Sequence, residues 1–168
     1  MTEAVQIIIK NLNLTKHSEG GYYVEIYRSS DKINKEHLPE RFNNSRVFST
    51  AIYFLLVNDD FSSFHKLKAD EIWHFYSGSP MILYEIDKES KLQKSVLSND
   101  ITKNTAFTKV IKAGNWLAAE VMNKDTYSLV GCTVSPGFEF DDFELAKREE
   151  LISLHTQHRN IIEKLTRI

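Results

Sequence analysis

The stretch SSFHKLKADEIWHFYSG, residues 62–78, determines how we interpret the whole chain. Two segments rich in aromatic residues, FSSFHKL and EIWHFYSG, flank the polar residues KAD, a pattern typical of two short strands separated by a turn. Because side chains two residues apart in a strand lie on the same face, one inward face should bring a histidine and a glutamate together. The residues expected on that face are Ser63, His65, Leu67, Glu71, Trp73 and Phe75.

The rest of the chain predicts an all-β fold with a helix near each end. Between residues 46 and 134, about nine short runs of β-forming residues are separated by turns at intervals of about 8 to 12 residues, as in antiparallel sandwiches and barrels. Apolar residues at helical spacing predict a short helix over residues 3–12 and a longer one from about 143 to 165. We expect a single domain over residues 1–168, with the barrel core at about 20–140.

Composition and charge exclude several classes of protein. The 168 residues carry a formal net charge of −2 and a sequence pI near 6.3, which argues against a basic surface for nucleic acid. No run of eighteen apolar residues occurs, so we expect no membrane-spanning segment. The N-terminal residues lack the pattern of a signal peptide, and the single cysteine, Cys132, allows no intrachain disulfide. We therefore expect a cytoplasmic protein with neither a nucleic-acid nor a membrane partner.

The spacing of His65, Glu71 and Gly78 resembles the first signature of the cupin superfamily, in which two histidines flank one residue before the glutamate and the glycine. Here Leu67 stands where the second histidine would be. In the block KAGNWL, which resembles the second signature, Leu117 replaces the histidine. The resemblance therefore implies only His65 and Glu71 as metal ligands. Since two protein ligands rarely hold a metal tightly, the expected cofactor is none or a weakly bound divalent metal.

Five ordered blocks make the chain resemble a smaller group, the DUF985 or cupin-5 proteins. The blocks are HSEGGYYVEIYRS, RVFSTAIYFLL, SSFHKLKADEIWHFYSG, KAGNWLAAE and YSLVGCTVSPGFEFDDFELA. This resemblance implies a cupin jelly-roll β-barrel, a homodimer, and a distant likeness to the dTDP-4-keto-6-deoxysugar 3,5-epimerases. The segment around residues 136–143 is expected to close over the barrel or its partner, with Asp142 as a candidate N-cap of the last helix.

The likeness to the epimerases implies roles for individual residues. In those enzymes a histidine paired with an acid removes a proton next to a carbonyl, and a tyrosine returns one. His65 with Glu71, and Tyr23 or Tyr53 as the acid, are therefore the candidate catalytic residues. The candidate ligand-binding residues are Tyr23, Glu25, Ser63, Trp73 and Phe75, of which the last two would form an apolar wall for a ring.

Two questions stay open at this point. The first is which face of the strand at 22–28 lines the barrel: Tyr23, Glu25 and Tyr27 share one face, whereas Tyr22, Val24, Ile26 and Arg28 share the other. The second is the function itself. One hypothesis is a sugar- or nucleotide-derivative isomerase or epimerase, another a non-catalytic module that binds or senses a small polar metabolite. The third, a metal-dependent enzyme with a reduced ligand set, is disfavoured by the two missing histidines.

Overall fold

The computed structural model describes residues 1–167, which fold into short helices, two large antiparallel sheets and a separate two-stranded sheet formed by Lys32–Ile33 and Arg46–Val47. In chain order the elements are α1 (Glu3–Asn11), β1 (Thr15–Lys16), β2 (Tyr22–Arg28), β3 (Lys32–Ile33), β4 (Arg46–Val47), β5 (Thr50–Val57), β6 (Phe61–Leu67), β7 (Asp70–Gly78), β8 (Met81–Ile86), β9 (Leu92–Leu97), β10 (Thr108–Ile111), β11 (Trp116–Val121), β12 (Tyr127–Ser135), β13 (Phe143–Leu145), α2 (Arg148–Leu154) and α3 (Arg159–Lys164). The prediction of an all-β fold with helices near both ends is confirmed. No helix within residues 1–167 has the length and apolarity needed to cross a membrane.

The two sheets lie face to face and enclose the core. The first has the strand order β1-β2-β5-β12-β7-β10 and the second β13-β6-β11-β8-β9. The strands β6 and β7 of the opening stretch belong to different sheets, so residues 68–69 cross from one sheet to the other. His65 and Glu71 therefore approach the interior from opposite sheets.

Alternation along the strands produces the core between the sheets. Phe54, Trp73 and Val130 point inward from the first sheet, and Leu83 and Leu117 point inward from the second. Each of these side chains is at most 1% exposed, and burying one contributes about 1.5–3 kcal/mol. The helix α1 covers part of the outer face of the first sheet, and the helices α2 and α3 cover the outer face of the second.

The C-terminal segment differs from the continuous helix predicted for residues 143 to 165. It forms a strand, β13, then two short helices separated by His155, whose φ is −137° and ψ is 56°, and by one turn of 3-10 helix over Thr156–His158. The side chains of His155 and His158 contact the hydroxyl and the carbonyl of Ser90 at 2.9 and 2.8 Å, respectively, and so hold the bend. The bend buries residues of both helices against the sheet but leaves Leu154 66% exposed.

Asp142 is also placed differently from the predicted N-cap. It precedes β13 and forms a buried ion pair with Arg46, and the two side chains are 4% and 1% exposed. The pair links the segment after β12 to β4, so Asp142 fixes the position of this segment rather than the start of a helix.

Candidate functional site

A cavity of about 290 Å3 opens between the sheets at the end of the barrel that contains His65. Its walls come from the inner faces of both sheets, from the loop before β2, and from the segment that follows β12. The lining residues are His17, Glu19, Tyr23, Glu25, Arg28, Thr50, Ile52, Phe54, His65, Leu67, Glu71, Trp73, Cys132, Val134, Phe138, Glu139, Phe140 and Phe143. The cavity thus combines aromatic walls with several ionisable groups.

A β-bulge in β6 determines which of its side chains reach the interior. Leu117 of β11 pairs with His65, but Ala119 pairs with Ser62, so three residues of β6 oppose two of β11. The bulge places Ser62 and His65 on the same side and turns Ser63 away from the cavity. The expectation that Ser63 binds a ligand is corrected accordingly: the Ser63 hydroxyl accepts a hydrogen bond from Arg167 at 2.5 Å.

The imidazole of His65 is held in one tautomer. Its Nδ1 lies 2.8 Å from the carbonyl oxygen of Ser63, and because a carbonyl only accepts, Nδ1 carries the proton and Nε2 has the free lone pair. Burial lowers the pKa of His65, which favours the neutral form. Among residues 1–167 Nε2 has no hydrogen-bond partner, so it offers an unprotonated nitrogen to the cavity.

Glu71 faces the same cavity and titrates near neutral pH. Its Oε2 accepts a hydrogen bond from the Trp73 indole at 2.8 Å, and its side chain is 8% exposed. Burial raises the pKa of Glu71 to about 7, and the nearby imidazole of His65 opposes that rise. Both protonation states of Glu71 are therefore populated at physiological pH, as general acid–base chemistry requires.

His17 and Glu19, which the sequence analysis did not single out, complete the polar floor. Glu19 accepts a hydrogen bond from the Ser62 hydroxyl at 2.7 Å, and its Oε2 lies 3.4 Å from Nδ1 of His17 and 3.5 Å from Nδ1 of His65. Burial raises the pKa of Glu19 and lowers that of His17. Burial therefore favours the neutral forms of His17, Glu19 and His65.

In the sequence, the block HSEGG marks the turn that carries His17 and Glu19. Gly20 has a φ of +115°, and a Cβ at this position would lie 2.2 Å from the carbonyl oxygen of Phe61. Only glycine fits such a turn. Two consecutive glycines after a polar triplet therefore mark a turn that passes close to the barrel wall, and this turn inserts His17 and Glu19 between the sheets.

A second bulge, in β2, answers the question about the face of that strand. Glu25 pairs with Ile52 and Tyr27 with Ala51, so the bulge lies at Ile26. Tyr23 and Glu25 precede the bulge and line the cavity, and Arg28, which follows it, lines the cavity as well. The guanidinium of Arg28 bonds Glu25 at 2.9 Å and Glu139 at 2.8 Å. Strict alternation had assigned Arg28 to the opposite face from Tyr23.

The predicted residues Tyr53, Trp73 and Phe75 have different surroundings. Trp73 lines the cavity, whereas Phe75 points inward but lies within the apolar core. Tyr53 lies on the outer face of its strand, where its ring meets that of Tyr76 edge to face at 5.8 Å. Tyr53 therefore cannot contact a ligand in the cavity, and of the two candidate tyrosine acids only Tyr23 is suitably placed.

Three phenylalanines that follow β12 form one wall of the cavity. The Phe143 ring stacks on the imidazole of His65 with centroids 5.5 Å apart, and Phe138 and Phe140 meet edge to face at 5.1 Å. Phe140 is 59% exposed and so lies at the mouth. The Arg46–Asp142 ion pair holds this segment against the barrel, so the three rings keep their positions in the folded protein.

The donor set does not fit a metal held by protein side chains. Positions 67 and 117 are leucines, and Nδ1 of His65 is bonded to a carbonyl. No group of three His, Cys, Asp or Glu side chains within residues 1–167 has the geometry to hold a metal ion. Structural and catalytic zinc sites use three or four protein ligands, and the described residues provide no such set.

Comparison with known proteins relates this site to a family. A family model described as the cupin superfamily (DUF985) matches residues 6–146. The crystal structure of a Shewanella oneidensis protein has a TM-score of 0.87 and 37% identity and covers 99% of both chains. A hypothetical protein from Leishmania major also has a TM-score of 0.87, with 30% identity over 97% of this chain and 98% of that chain.

Two further proteins are similar to the chain at lower identity. An uncharacterised protein of Saccharomyces cerevisiae is 26% identical over 159 residues, which are 88% of this chain and 77% of the yeast protein. Oxalate decarboxylase from Bacillus subtilis has a TM-score of 0.55 and 11% identity over 89% of this chain and 36% of that chain, which shows a shared fold alone. The predicted cupin jelly roll is thus confirmed, and the chain belongs to the Cupin_5 (DUF985) family of the cupin superfamily.

Proposed function

We propose that the cavity binds a small polar metabolite and that His65 transfers a proton on it, as in an isomerase or epimerase of sugar- or nucleotide-like compounds. One observation carries this proposal: His65 is 2% exposed, yet its unprotonated Nε2 faces the cavity. A buried, neutral imidazole with a fixed tautomer is the form of histidine that acts as a general base. The carboxyl groups of Glu71 and Glu19 are close to that imidazole, and their ionised forms would stabilise it once it is protonated.

The chemistry uses groups that line the cavity. Nε2 of His65 takes a proton from a carbon next to a carbonyl, and the electron pair of the broken C–H bond moves into that carbonyl as an enolate. The Tyr23 hydroxyl returns a proton to the same carbon, and both residues then exchange protons with water. The aromatic wall of Trp73 and Phe143 excludes water and orients the substrate.

Isotope exchange tests this proposal without a known substrate. The protein is incubated in deuterium oxide with a metabolite mixture rich in keto sugars, amino sugars and nucleotide sugars, and mass spectrometry identifies any compound that gains one mass unit. We expect one compound, or one related group, to gain deuterium with the wild-type protein. The variant His65→Ala should lose at least about a hundred-fold in rate, and exchange that persists in this variant would refute the role of His65.

The alternative is a non-catalytic module that binds or senses the metabolite. In that case the same side chains fix the ligand through hydrogen bonds, and no carbon-bound proton exchanges. The isotope experiment separates the two functions, because a compound that binds in the cavity and gains no deuterium indicates a binding module.

We also propose that the protein is a cytoplasmic homodimer. Part of the outer face of the first sheet is apolar and exposed, with Ile26, Tyr76 and Val110 exposed by 47%, 49% and 43%. Pairing this face with that of a second copy would remove it from water. Light scattering on the purified protein should give about twice the mass of one chain, and Tyr76→Glu should shift it to the monomer. A wild-type monomer would refute this part of the proposal.

A further inference from the structure

The charges around the cavity are unevenly distributed. Four glutamates line it, Glu19, Glu25, Glu71 and Glu139. Among the described residues that line the cavity, the one arginine or lysine is Arg28, and its guanidinium already bonds both Glu25 and Glu139. An anionic ligand would find no cation without a partner. A cationic ligand would meet four carboxyl groups and would favour the ionised forms of Glu19 and Glu71, whose pKa values burial otherwise raises.

Two side chains that line the cavity each have a polar atom without a hydrogen-bond partner. Nε2 of His65 and Oε1 of Glu71 have no hydrogen-bond partner in the part of the chain that the structure describes, although the two residues are only 2% and 8% exposed. No fully buried side-chain N or O atom of residues 1–167 lacks a partner, so neither atom is fully enclosed by protein, and both residues line the cavity. Both are acceptors when the histidine is neutral and the glutamate is ionised, which suits a ligand that donates hydrogen bonds or carries positive charge.

The aromatic rings in the walls of the cavity also favour a cationic ligand. The aromatic side chains around the cavity are Tyr23, Phe54, Trp73, Phe138, Phe140 and Phe143. Their rings come from both sheets and from the segment after β12, so they surround the space rather than cover one side of it. The faces of aromatic rings attract cations, and the attraction is strongest where water is excluded.

We propose that the ligand of this cavity is a small organic cation, a metabolite that carries an ammonium group. This inference rests on the proposed function in that the cavity is the binding site, and it narrows the ligand class of that site. The ammonium group lies between the aromatic rings and the carboxylates, and the polar remainder contacts His65. Phosphorylated compounds, including nucleotide sugars, are disfavoured because burying a phosphate without a free cation carries a large desolvation cost.

A series of probes with the same shape and different charge tests this inference. Choline is the cation, dimethylbutanol its neutral carbon isostere, and dimethylbutanoate the anion. Binding is followed by the fluorescence of Trp73 in a Trp116→Phe background, since Trp116 does not line the cavity and the chain has two tryptophans. Isothermal titration of the wild-type protein provides an independent measurement. We expect choline to bind about ten-fold more tightly than dimethylbutanol and dimethylbutanoate to bind least.

Two glutamine variants test whether the preference for a cation arises in the cavity. Glu139→Gln removes a carboxylate that lines the cavity, whereas Glu144→Gln removes an exposed one that pairs with Lys66 at 3.1 Å outside it. Choline should bind several-fold more weakly to Glu139→Gln, and the affinity for dimethylbutanol should not change. Glu144→Gln should behave as the wild-type protein with all three probes.

The possible results separate this inference from the proposed function. If dimethylbutanol or dimethylbutanoate binds as tightly as choline, the preference for a cation is refuted while the cavity remains a binding site. If none of the three probes changes the fluorescence or gives heat, the inference of a cationic ligand is refuted, whereas the isotope experiment still decides the proposed function. Equal weakening of choline binding by both glutamine variants would show a general charge effect and would also refute the inference.

Discussion

The two ends of the barrel interior differ although the same strands build both. At one end Met81, Leu83, Leu97 and Val121 fill the space between the sheets, each at most 1% exposed. At the other end His65, with the glutamates of the cavity, surrounds a space of about 290 Å3. The apolar end is a packed core, whereas the polar end is able to admit a ligand.

Strand register accounts for much of the difference. At the apolar end β8 pairs with β11 from Trp116↔Ile86 to Val121↔Met81 without a register shift, so alternation alone places the side chains. At the polar end both β2 and β6 contain a bulge. Bulges re-aim side chains, and here they direct Arg28 and Ser62 inward. The β7–β12 pair also shifts register, between Leu129 and Val130, so the polar end is distinguished by the side chains that its two bulges turn inward rather than by the presence of a bulge.

Truncating a leucine at each end should give the largest difference. Leu83→Ala, in the packed end, should lower the free energy of unfolding by about 3–5 kcal/mol, because it leaves a new void. Leu67→Ala enlarges a cavity that already exists, so its cost should stay near the lower limit for such changes, about 2 kcal/mol. Denaturant unfolding measures both values, and equal costs would contradict the distinction between the two ends.

The packed end could be predicted from the sequence, and the polar end only in part. Alternation identified the strands of the opening stretch and predicted that Glu71 and Trp73 face inward. It failed for Ser63 and for Arg28, because a bulge changes the alternation of side chains without a clear mark in the sequence. Tyr53 was a candidate acid by residue type alone. Its neighbours Ile52 and Phe54 line the cavity, so the side chain of Tyr53 lies on the opposite face of the strand and cannot reach the cavity.

The loops of the polar end were the least predictable part. His17 and Glu19 lie outside any strand and enter the site through a glycine turn. The bend at His155 depends on contacts with Ser90, which is 65 residues away along the chain. Contacts of this kind arise from the tertiary structure, so local periodicity predicted a continuous helix there.

Two tyrosines on neighbouring strands provide the next test of the polar end. Tyr23→Phe should slow the deuterium exchange catalysed by the protein about a hundred-fold, because it removes the hydroxyl that returns the proton. Tyr53→Phe, on the outer face, should leave the rate unchanged and alter the free energy of unfolding by no more than about 0.5 kcal/mol. The same isotope assay measures both variants. If exchange slowed in Tyr53→Phe but not in Tyr23→Phe, the assignment of Tyr23 as the acid would be contradicted.

The stability of the polar end should depend on pH, because burial raises the pKa of Glu71 to about 7. In the unfolded chain Glu71 loses its proton near pH 4.5, and in the folded protein near pH 7. Between these values the folded state keeps a proton that the unfolded state has released, so the free energy of unfolding falls as the pH rises. The total loss from this group is at most about 3 kcal/mol.

Glu71→Gln removes this titration and retains an acceptor for the Trp73 indole. Above pH 7 the variant should be more stable than the wild-type protein by about 1–3 kcal/mol, and the advantage should disappear near pH 4.5. Glu144→Gln, an exposed control, should show no such trend. Denaturant unfolding at several pH values measures the difference, and a constant difference across that range would contradict the shifted pKa.

The smallest expected effect is that of a chelator. A metal site needs three or four ligands, and no three His, Cys, Asp or Glu side chains of residues 1–167 are arranged to hold a metal, so protein purified without added metal should contain far less than one equivalent of Mn, Fe, Ni or Zn. Treatment with a chelator should then leave the melting temperature unchanged, as it should in His65→Ala. Elemental analysis of both proteins checks the metal content. Near-stoichiometric metal in the wild type that is lost in His65→Ala would mean that water molecules complete the coordination, and the polar end would then be a metal centre rather than a proton-transfer site.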